Sequence, residues 1–121
     1  IIRLCATGTP LLALRPQVKT IMEFCAETPA NLLEEIIIVD DGSKTPLETL
    51  VSDYMKSRCK VKFRRHEDTL GLMVAKQTGG DAAEGEFVGF FDCHVKPLTG
   101  WETKPIELMR ENRRRIITPA V

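Results

Sequence analysis

Three residues at the end of an apolar run carry groups that could bind a metal ion. The run FVGFF ends at Asp92, which is followed by Cys93 and His94. In an extended segment, side chains two residues apart point to the same side, so Asp92 and His94 can face one ion. A carboxylate and an imidazole suit Mn²⁺ or another borderline divalent cation, which could bridge a diphosphate and neutralise charge on a departing nucleotide. The alternative is structural: Asp92 caps a turn and His94 lies on the surface.

A second group of acids also follows an apolar run, where IIIV is succeeded by Asp40, Asp41, Gly42 and Ser43. A carboxylate at a strand end can accept hydrogen bonds from a ribose hydroxyl or a base N–H. The alternative is that Asp41 and Ser43 form the turn and cap the next helix. Because two predicted strands both end in acids, the two signals together favour a nucleotide site. His66 follows a different strand and is not expected to join the metal ligands.

The elements that would position these residues alternate along the chain. The β-branched run EIIIVDD predicts a strand buried on both faces, as does EFVGFFD. Shorter strands are predicted at IIRLCAT, KVKFRR and RIITPAV. Helices are predicted from Arg15, where Pro16 fits only a first turn, from Pro46 to Ser57, and at LGLMVAKQTGGDAAEG and GWETKPIELMREN. The order βαβαβαβαβ predicts an α/β fold with a mostly parallel sheet flanked by helices.

Composition narrows the function classes. The chain has 121 residues, enough for one domain, and 17 basic residues balance 17 acidic ones. Zero net charge argues against a nucleic-acid partner, which would need a basic surplus. No transmembrane or targeting segment is visible, and the start at Ile1 is consistent with a piece of a longer protein. The four cysteines have no Cys-x-x-Cys spacing, so neither a zinc site nor a disulfide framework is predicted.

The motif blocks resemble a known family. LLEEIIIVDDGS, LGL and FFDCHVKPLTGW are similar to the LLEEIILVDD, GL and FLDAHCE…GW blocks of the polypeptide N-acetylgalactosaminyltransferases, in the same order and at similar spacing. The resemblance covers most of the chain and is strongest over residues 31–121. The Asp-x-His block followed by Gly-Trp is its most specific part, whereas VDDGS is shared with many sugar-nucleotide glycosyltransferases.

This resemblance implies a GT-A (Rossmann-like) fold and a retaining, Mn²⁺-dependent transfer of GalNAc from UDP-GalNAc to Ser or Thr hydroxyls of a protein in the Golgi lumen. Residues 1–121 would then be the nucleotide-sugar-binding part of the catalytic domain, a truncated half-domain without a lectin domain. The residues that match nucleotide-sugar positions are Asp40, Asp41, Gly71, Leu72 and Asp92. The resemblance matches Asp92 and His94 to the metal-binding pair and favours Asp40 over Asp41 for uracil. It assigns no catalytic base.

The chain departs from the family at several positions. Residues 9–12 replace a Phe-His-Asn-Glu segment, and Thr69 and Val74 stand where the family has arginines, although Lys76 keeps one positive charge. Losing two cations removes partners for phosphates. These departures favour an alternative, a divergent non-catalytic relative that serves as a binding or accessory module. Trp101 matches a family tryptophan, with a packing role as its alternative.

The family also has parts that this stretch does not contain. A third metal-ligand histidine, an acceptor-binding Trp-Gly-Gly-Glu region and the lectin domain lie further along in the family. We therefore expect the parent protein to be a glycosyltransferase and this chain alone to be inactive. A further alternative is a GT-A glycosyltransferase that uses another sugar nucleotide. The Asp-x-His motif, in place of the commoner Asp-x-Asp, argues against this alternative.

Overall fold

The computed structural model describes residues 2–7, 14–49, 56, 58–92 and 95–118, with side chains from residue 19 onward. The strands within these residues are β1 (Ile2–Thr7), β2 (Ile36–Asp41), β3 (Val61–His66) and β4 (Gly89–Asp92). The helices are α1 (Leu14–Glu27), α2 (Leu72–Ala82) and α3 (Thr103–Glu111), and a 3₁₀ turn at Leu47–Thr49 follows β2. Pro16 and Pro105 are each the third residue of their helix, where no intrahelical N–H bond is lost.

The described strands form a parallel sheet in the order β3-β2-β1-β4. From β1 the chain proceeds outward through β2 to β3, and it then crosses to the other side of β1 to form β4. The strand order therefore reverses between β1 and β4. In open α/β sheets, such a switch point leaves a crevice beyond the carboxyl ends of the strands.

The central strand β2 is buried along its whole length, as its β-branched sequence predicts. Alternate side chains enter two core clusters on opposite faces of the sheet. The cluster on the α1 side consists of Ile21, Phe24, Ile36, Ile38 and Leu47. The cluster on the α2 side consists of Ile37, Val39 and Ala75. By the same alternation, Asp40 lies on the α1 side of the sheet and Asp41 on the α2 side, so the two adjacent carboxylates point to opposite faces.

An aromatic trio attaches β4 and the start of α3 to α1. The ring centroid of Phe24 lies 4.8 Å from that of Phe91 and 5.6 Å from that of Trp101, and the last two are 5.3 Å apart. The indole N–H of Trp101 donates to Thr28 Oγ1 at 3.0 Å, which satisfies its polar group. The two contacts of the Trp101 ring are edge-to-face, a geometry that adds to the free energy gained from burial. Trp101 therefore has the packing role that was its alternative.

A network of ion pairs lies at the end of the sheet where β2 and β3 begin. The predicted site lies at the opposite end, where the strands finish. Lys62 Nζ lies 2.7 Å from Oε2 of the fully buried Glu35 and 3.0 Å from Glu84 Oε2. The N–H of Glu84 donates to Glu35 Oε1 at 2.8 Å. The contact with Glu35, followed by that with Glu84, raises the pKa of Lys62, and Lys62 in turn lowers the pKa of Glu84. The network gives the buried carboxylate a cation partner.

Two sequence predictions about strands are wrong. The block EFVGFFD was expected to be buried on both faces, but strand structure covers only its last four residues, and Phe90 is 49% exposed while Phe91 packs inward. The reason is position: among the described strands, β4 pairs only with β1 and lies at an edge. The block RIITPAV was expected to be a strand, but its described residues, 115–118, form none and Ile116 is 92% exposed.

The helix predicted from Pro46 to Ser57 lies partly outside the described residues. Its described beginning is the 3₁₀ turn, in which Leu47 is buried and the N–H of Thr49 bonds to the Pro46 carbonyl. The segment 9–12 lies outside the described residues altogether. No described helix is long and apolar enough to cross a membrane.

The structure also contains a disulfide that the cysteine spacing does not indicate. Cys25, near the end of α1, is joined to Cys59, just before β3, with their Cα atoms 6.1 Å apart. The physical reason is topological. Helix α1 returns the chain to the amino-terminal edge of the sheet, where β3 begins, so two residues 34 apart in sequence become neighbours. Sequence spacing alone carries no sign of this approach.

Candidate functional site

The predicted acids lie at one edge of the sheet but do not converge. Asp40 and Asp41 end β2, Asp92 ends β4, and β1 runs between them. Two strand spacings, about 10 Å across the sheet, therefore separate the acids of β2 from Asp92. The register pairs Asp41 with Thr7 and Asp92 with Cys5, which places Asp41 and Asp92 on the α2 side of the sheet.

The Asp40 carboxylate closes the turn after β2. Its Oδ1 accepts the N–H of Ser43 at 3.0 Å and its Oδ2 accepts the N–H of Leu47 at 3.0 Å. Arg65, its register partner on β3, donates Nη1 to Oδ2 at 2.6 Å and Nη2 to the Ser43 carbonyl at 2.7 Å. Asp40 is 3% exposed. Its oxygens thus hold the 3₁₀ turn and orient a cation that is itself partly exposed.

The Asp41 carboxylate holds the loop that leads into α2. Oδ1 accepts the N–H of Leu70 and Oδ2 that of Gly71, both at 2.9 Å, and His66 Nδ1 lies 2.7 Å from Oδ1. Burial raises the pKa of the Asp41 carboxyl group, but the bonds from Leu70, His66 and Gly71 together outweigh burial and hold the pKa below its ordinary value of 3.8. The group is therefore an anion whose charge is compensated within the chain.

The loop fits against β2 only because Gly42 lacks a side chain. Gly42 has φ of +81°, a left-handed conformation that favours glycine, and a Cβ there would lie 2.7 Å from both N and Oγ1 of Thr69. Thr69 Oγ1 donates to the Asp41 carbonyl at 3.1 Å. The segment after β2 and the segment before α2 are therefore in direct backbone contact, although about thirty residues separate them.

His66 belongs to this arrangement, although sequence reasoning did not place it in the site. It is the last residue of β3 and the register partner of Asp41. Its Nε2 lies 2.9 Å from Oγ1 of Thr78, in the middle of α2. Because Asp41 is an anion, Nδ1 carries the proton, and Nε2 can accept the Thr78 hydroxyl proton. The signal that could have identified His66 is that it ends β3 as Asp41 ends β2.

Gly71 and Leu72, which the resemblance matches to nucleotide-sugar positions, lie at the turn that opens α2. Gly71 has φ of +100° and precedes the helix, and Leu72 is its first residue. The first turn of α2 exposes apolar side chains, with Met73 85% and Val74 41% exposed. No lysine or arginine occurs between Arg65 and Lys76, so this turn carries no cation.

Asp92 is the predicted acid whose oxygens are available to a ligand. It is exposed, and its carboxylate has no hydrogen-bond or ion-pair partner within the described residues. Such a carboxylate fits a hard or borderline divalent cation. His94 lies outside the described residues, and no group of three or more possible metal-ligating side chains occurs among those the structure describes. The donor set that can be described is thus compatible with a metal but is not a complete shell.

Comparison with known proteins identifies the family. Residues 16–121 match the family model described as glycosyl transferase family 2. The chain belongs to glycosyl transferase family 2. This family 2 chain is 41% identical over 97 residues to human polypeptide N-acetylgalactosaminyltransferase 9. The aligned residues cover 78% of the chain and 16% of that protein. It is 33% identical over 114 residues to mouse polypeptide N-acetylgalactosaminyltransferase 18, and this alignment covers 89% of the chain and 18% of that protein.

The resemblance predicted from the sequence blocks is therefore confirmed, and the chain spans between 16% and 18% of the length of these relatives. Solved structures agree on the fold. GalNAc-T7 with UDP, GalNAc and Mn²⁺ superposes with a TM-score of 0.76 at 24% identity, over 93% of this chain and 21% of that one. S. aureus TarS superposes with a TM-score of 0.66 at 18% identity, over 93% of this chain and 19% of that one. The predicted α/β fold of the GT-A type is confirmed.

Proposed function

We propose that residues 1–121 form the nucleotide-sugar-binding part of a retaining, Mn²⁺-dependent polypeptide GalNAc-transferase, an enzyme of mucin-type O-glycosylation. The observation that carries the proposal is the Asp92 carboxylate, which has no partner among the described residues and lies at the switch point of a parallel sheet, where open α/β sheets bind nucleotides. The likeness to polypeptide N-acetylgalactosaminyltransferases supports UDP-GalNAc as the donor. Ser or Thr hydroxyls of a protein or peptide would be the acceptors of the intact parent.

Within this proposal the predicted site residues divide by what they can touch. Asp92 and His94 would hold Mn²⁺, which when bound would neutralise charge on the donor diphosphate. Gly71 and Leu72 form the turn that would lie beside the nucleotide. Asp40 and Asp41 are buried, and each carboxylate already accepts three hydrogen bonds within the chain. We therefore assign these two residues to holding the loops of the site.

The proposed compartment is the Golgi lumen. The disulfide between Cys25 and Cys59 supports this placement, because disulfides form and persist in the oxidising compartments of the secretory pathway and are rare in reducing ones. The family resemblance supports the Golgi in particular.

A second candidate function is a non-catalytic binding or accessory module. The observation that favours it is the first turn of α2, which exposes Met73 and Val74 and has no cation to meet a phosphate. A GT-A transferase for another sugar nucleotide is a variant of the first proposal. It differs in the sugar alone, so competition between donors can separate the two.

Calorimetric titration of UDP into the folded chain, with and without Mn²⁺, tests the proposal. We expect Mn²⁺-dependent binding that Asp92→Asn abolishes. The matched control is Asp81→Asn, because Asp81 is exposed at the far end of α2 and should not affect UDP binding. Absence of UDP binding by a chain that circular dichroism shows to be folded would refute the donor-binding proposal and favour the accessory module. Competition of UDP-GalNAc against UDP-GlcNAc then identifies the sugar.

A further inference from the structure

The side chain of His66 connects three elements at the edge of the sheet that carries the proposed site. Its Nδ1 contacts the Asp41 carboxylate at the end of β2, and its Nε2 contacts the Thr78 hydroxyl of α2. His66 itself is the last residue of β3. The side chain of His66 is only 14% exposed, so water cannot readily replace both contacts. The ring therefore fixes the distance between the end of β2 and the body of α2.

The carboxylate that His66 contacts also fixes the turn at the start of α2. Asp41 accepts the backbone N–H groups of Leu70 and Gly71 through its two oxygens. Helix α2 has no side-chain cap at Gly71, and the Asp41 carboxylate instead holds the two residues that immediately precede the helix. If its orientation were lost, the turn would lose the contacts that define it.

We propose that His66 is a positioning residue for the donor site: by holding both the Asp41 carboxylate and the Thr78 hydroxyl, it sets the position of the Gly71–Leu72 turn against the nucleotide. This inference rests on the proposed function, because it takes the turn to lie beside UDP. His66 acts through Asp41 and α2, and it touches no ligand itself. The role goes beyond the family resemblance, which assigned His66 nothing.

The test compares substitutions that remove one or both contacts of the ring. His66→Ala removes both, and we expect the Kd for UDP to rise about tenfold, because one lost bond was to a charged group. His66→Asn keeps an amide donor near the position of Nδ1 and should restore binding to within about threefold of the unchanged chain. Thr78→Val removes only the second contact and should raise the Kd about fivefold.

A matched control separates this role from general loss of stability. Thr28→Val also removes one side-chain hydrogen bond of a threonine, but Thr28 is buried just beyond the end of α1 and accepts the indole N–H of Trp101. We expect it to leave UDP binding unchanged. Hydrogen exchange at the Leu70 and Gly71 amides supplies a reading without UDP, and both amides should exchange faster in His66→Ala than in the control.

The outcomes decide separately on the site and on His66. If the unchanged chain fails to bind UDP, the proposed function is wrong, and the exchange rates alone decide whether His66 fixes the turn. If UDP binds but His66→Ala lies within twofold of the unchanged chain with unaltered exchange at Leu70 and Gly71, the inference is wrong. A His66→Asn variant as weak as His66→Ala would also overturn it, because the contact with Asp41 would then not be the one that matters.

Discussion

Removal of the disulfide between Cys25 and Cys59 should cost the chain a large part of its stability. The bond closes a loop of 34 residues, and the loss of chain entropy in the unfolded state predicts a contribution of about 4 kcal/mol to the free energy of unfolding. Domains of this size are stable by only about 5–15 kcal/mol. The loop contains the whole of β2, so the bond restrains the chain on both sides of the strand that forms the core.

Urea unfolding followed by circular dichroism, with and without a thiol reductant, measures this contribution. We expect the reductant to lower the free energy of unfolding of the unchanged chain by about 4 kcal/mol. It should have no effect on a variant in which Cys25 and Cys59 are both alanine. A control variant that instead lacks Cys5 and Cys93 should respond to reductant as the unchanged chain does, which excludes pairing with those thiols.

The reasoning would be refuted if the reductant shifted the free energy of unfolding of the unchanged chain by less than about 1 kcal/mol, well below the loop-entropy value. It would be refuted equally if alkylation followed by mass spectrometry found both Cys25 and Cys59 as free thiols in the unreduced chain. The double alanine variant also loses packing of Cys25 against the α1-side core. For that reason the effect of reductant, and not the stability of the variant alone, is the decisive quantity.

Three further predictions concern the sheet and its loops. The pKa of Asp41 in the folded chain lies below its ordinary value of 3.8. The ionised carboxylate therefore contributes its full stabilisation above pH 3.8, and this stabilisation is lost as the pH falls through the folded pKa. Asp41→Asn should remove this dependence and flatten the acid limb of a curve of unfolding free energy against pH. Urea unfolding should show that Gly42→Ala destabilises the chain more than Gly71→Ala does. Both glycines have a positive φ, but only a Cβ at Gly42 would collide with Thr69. Equal losses of unfolding free energy in the two variants would contradict this reasoning. Lys62→Met should leave the buried Glu35 carboxylate without its cation. In urea unfolding it should therefore destabilise the chain more than Lys19→Met, which removes an exposed lysine from the Lys19–Glu23 pair of α1.

Much of the fold could be predicted because its signals are local. The run IIIVDD contains enough β-branched residues to identify a central strand, and Pro16 indicates a helix that begins near it. The edge position of β4 was not predictable in this way. Phe90 and Phe91 are the same residue type in adjacent positions, yet one is 49% exposed and the other packs on Trp101. Which face of an edge strand is covered depends on elements distant in sequence.

The sequence predicts that Asp40, Asp41 and Asp92 end strands, as the structure shows, but it does not predict the contacts that connect the loops around them. The alternation from which the sequence predicts that Asp92 and His94 share a side applies equally to Asp40 and Asp41, and it separates that pair onto opposite faces. His66 could not be assigned from sequence because its contact with Asp41 depends on the register between β2 and β3. A shift of one residue would have turned it to the other face.

The three predicted strand-end acids therefore do different physical work. Asp40 and Asp41 are buried, and every bond they accept comes from a loop, a turn or a side chain of this chain, so their substitution should act first on stability. Asp92 is exposed, and its carboxylate has no partner within the described residues, so its substitution should act on ligand binding with little effect on the free energy of unfolding. If donor chemistry occurs at this edge of the sheet, Asp92 is the acid that can contact the metal and diphosphate. The two acids of β2 determine where the surrounding loops lie.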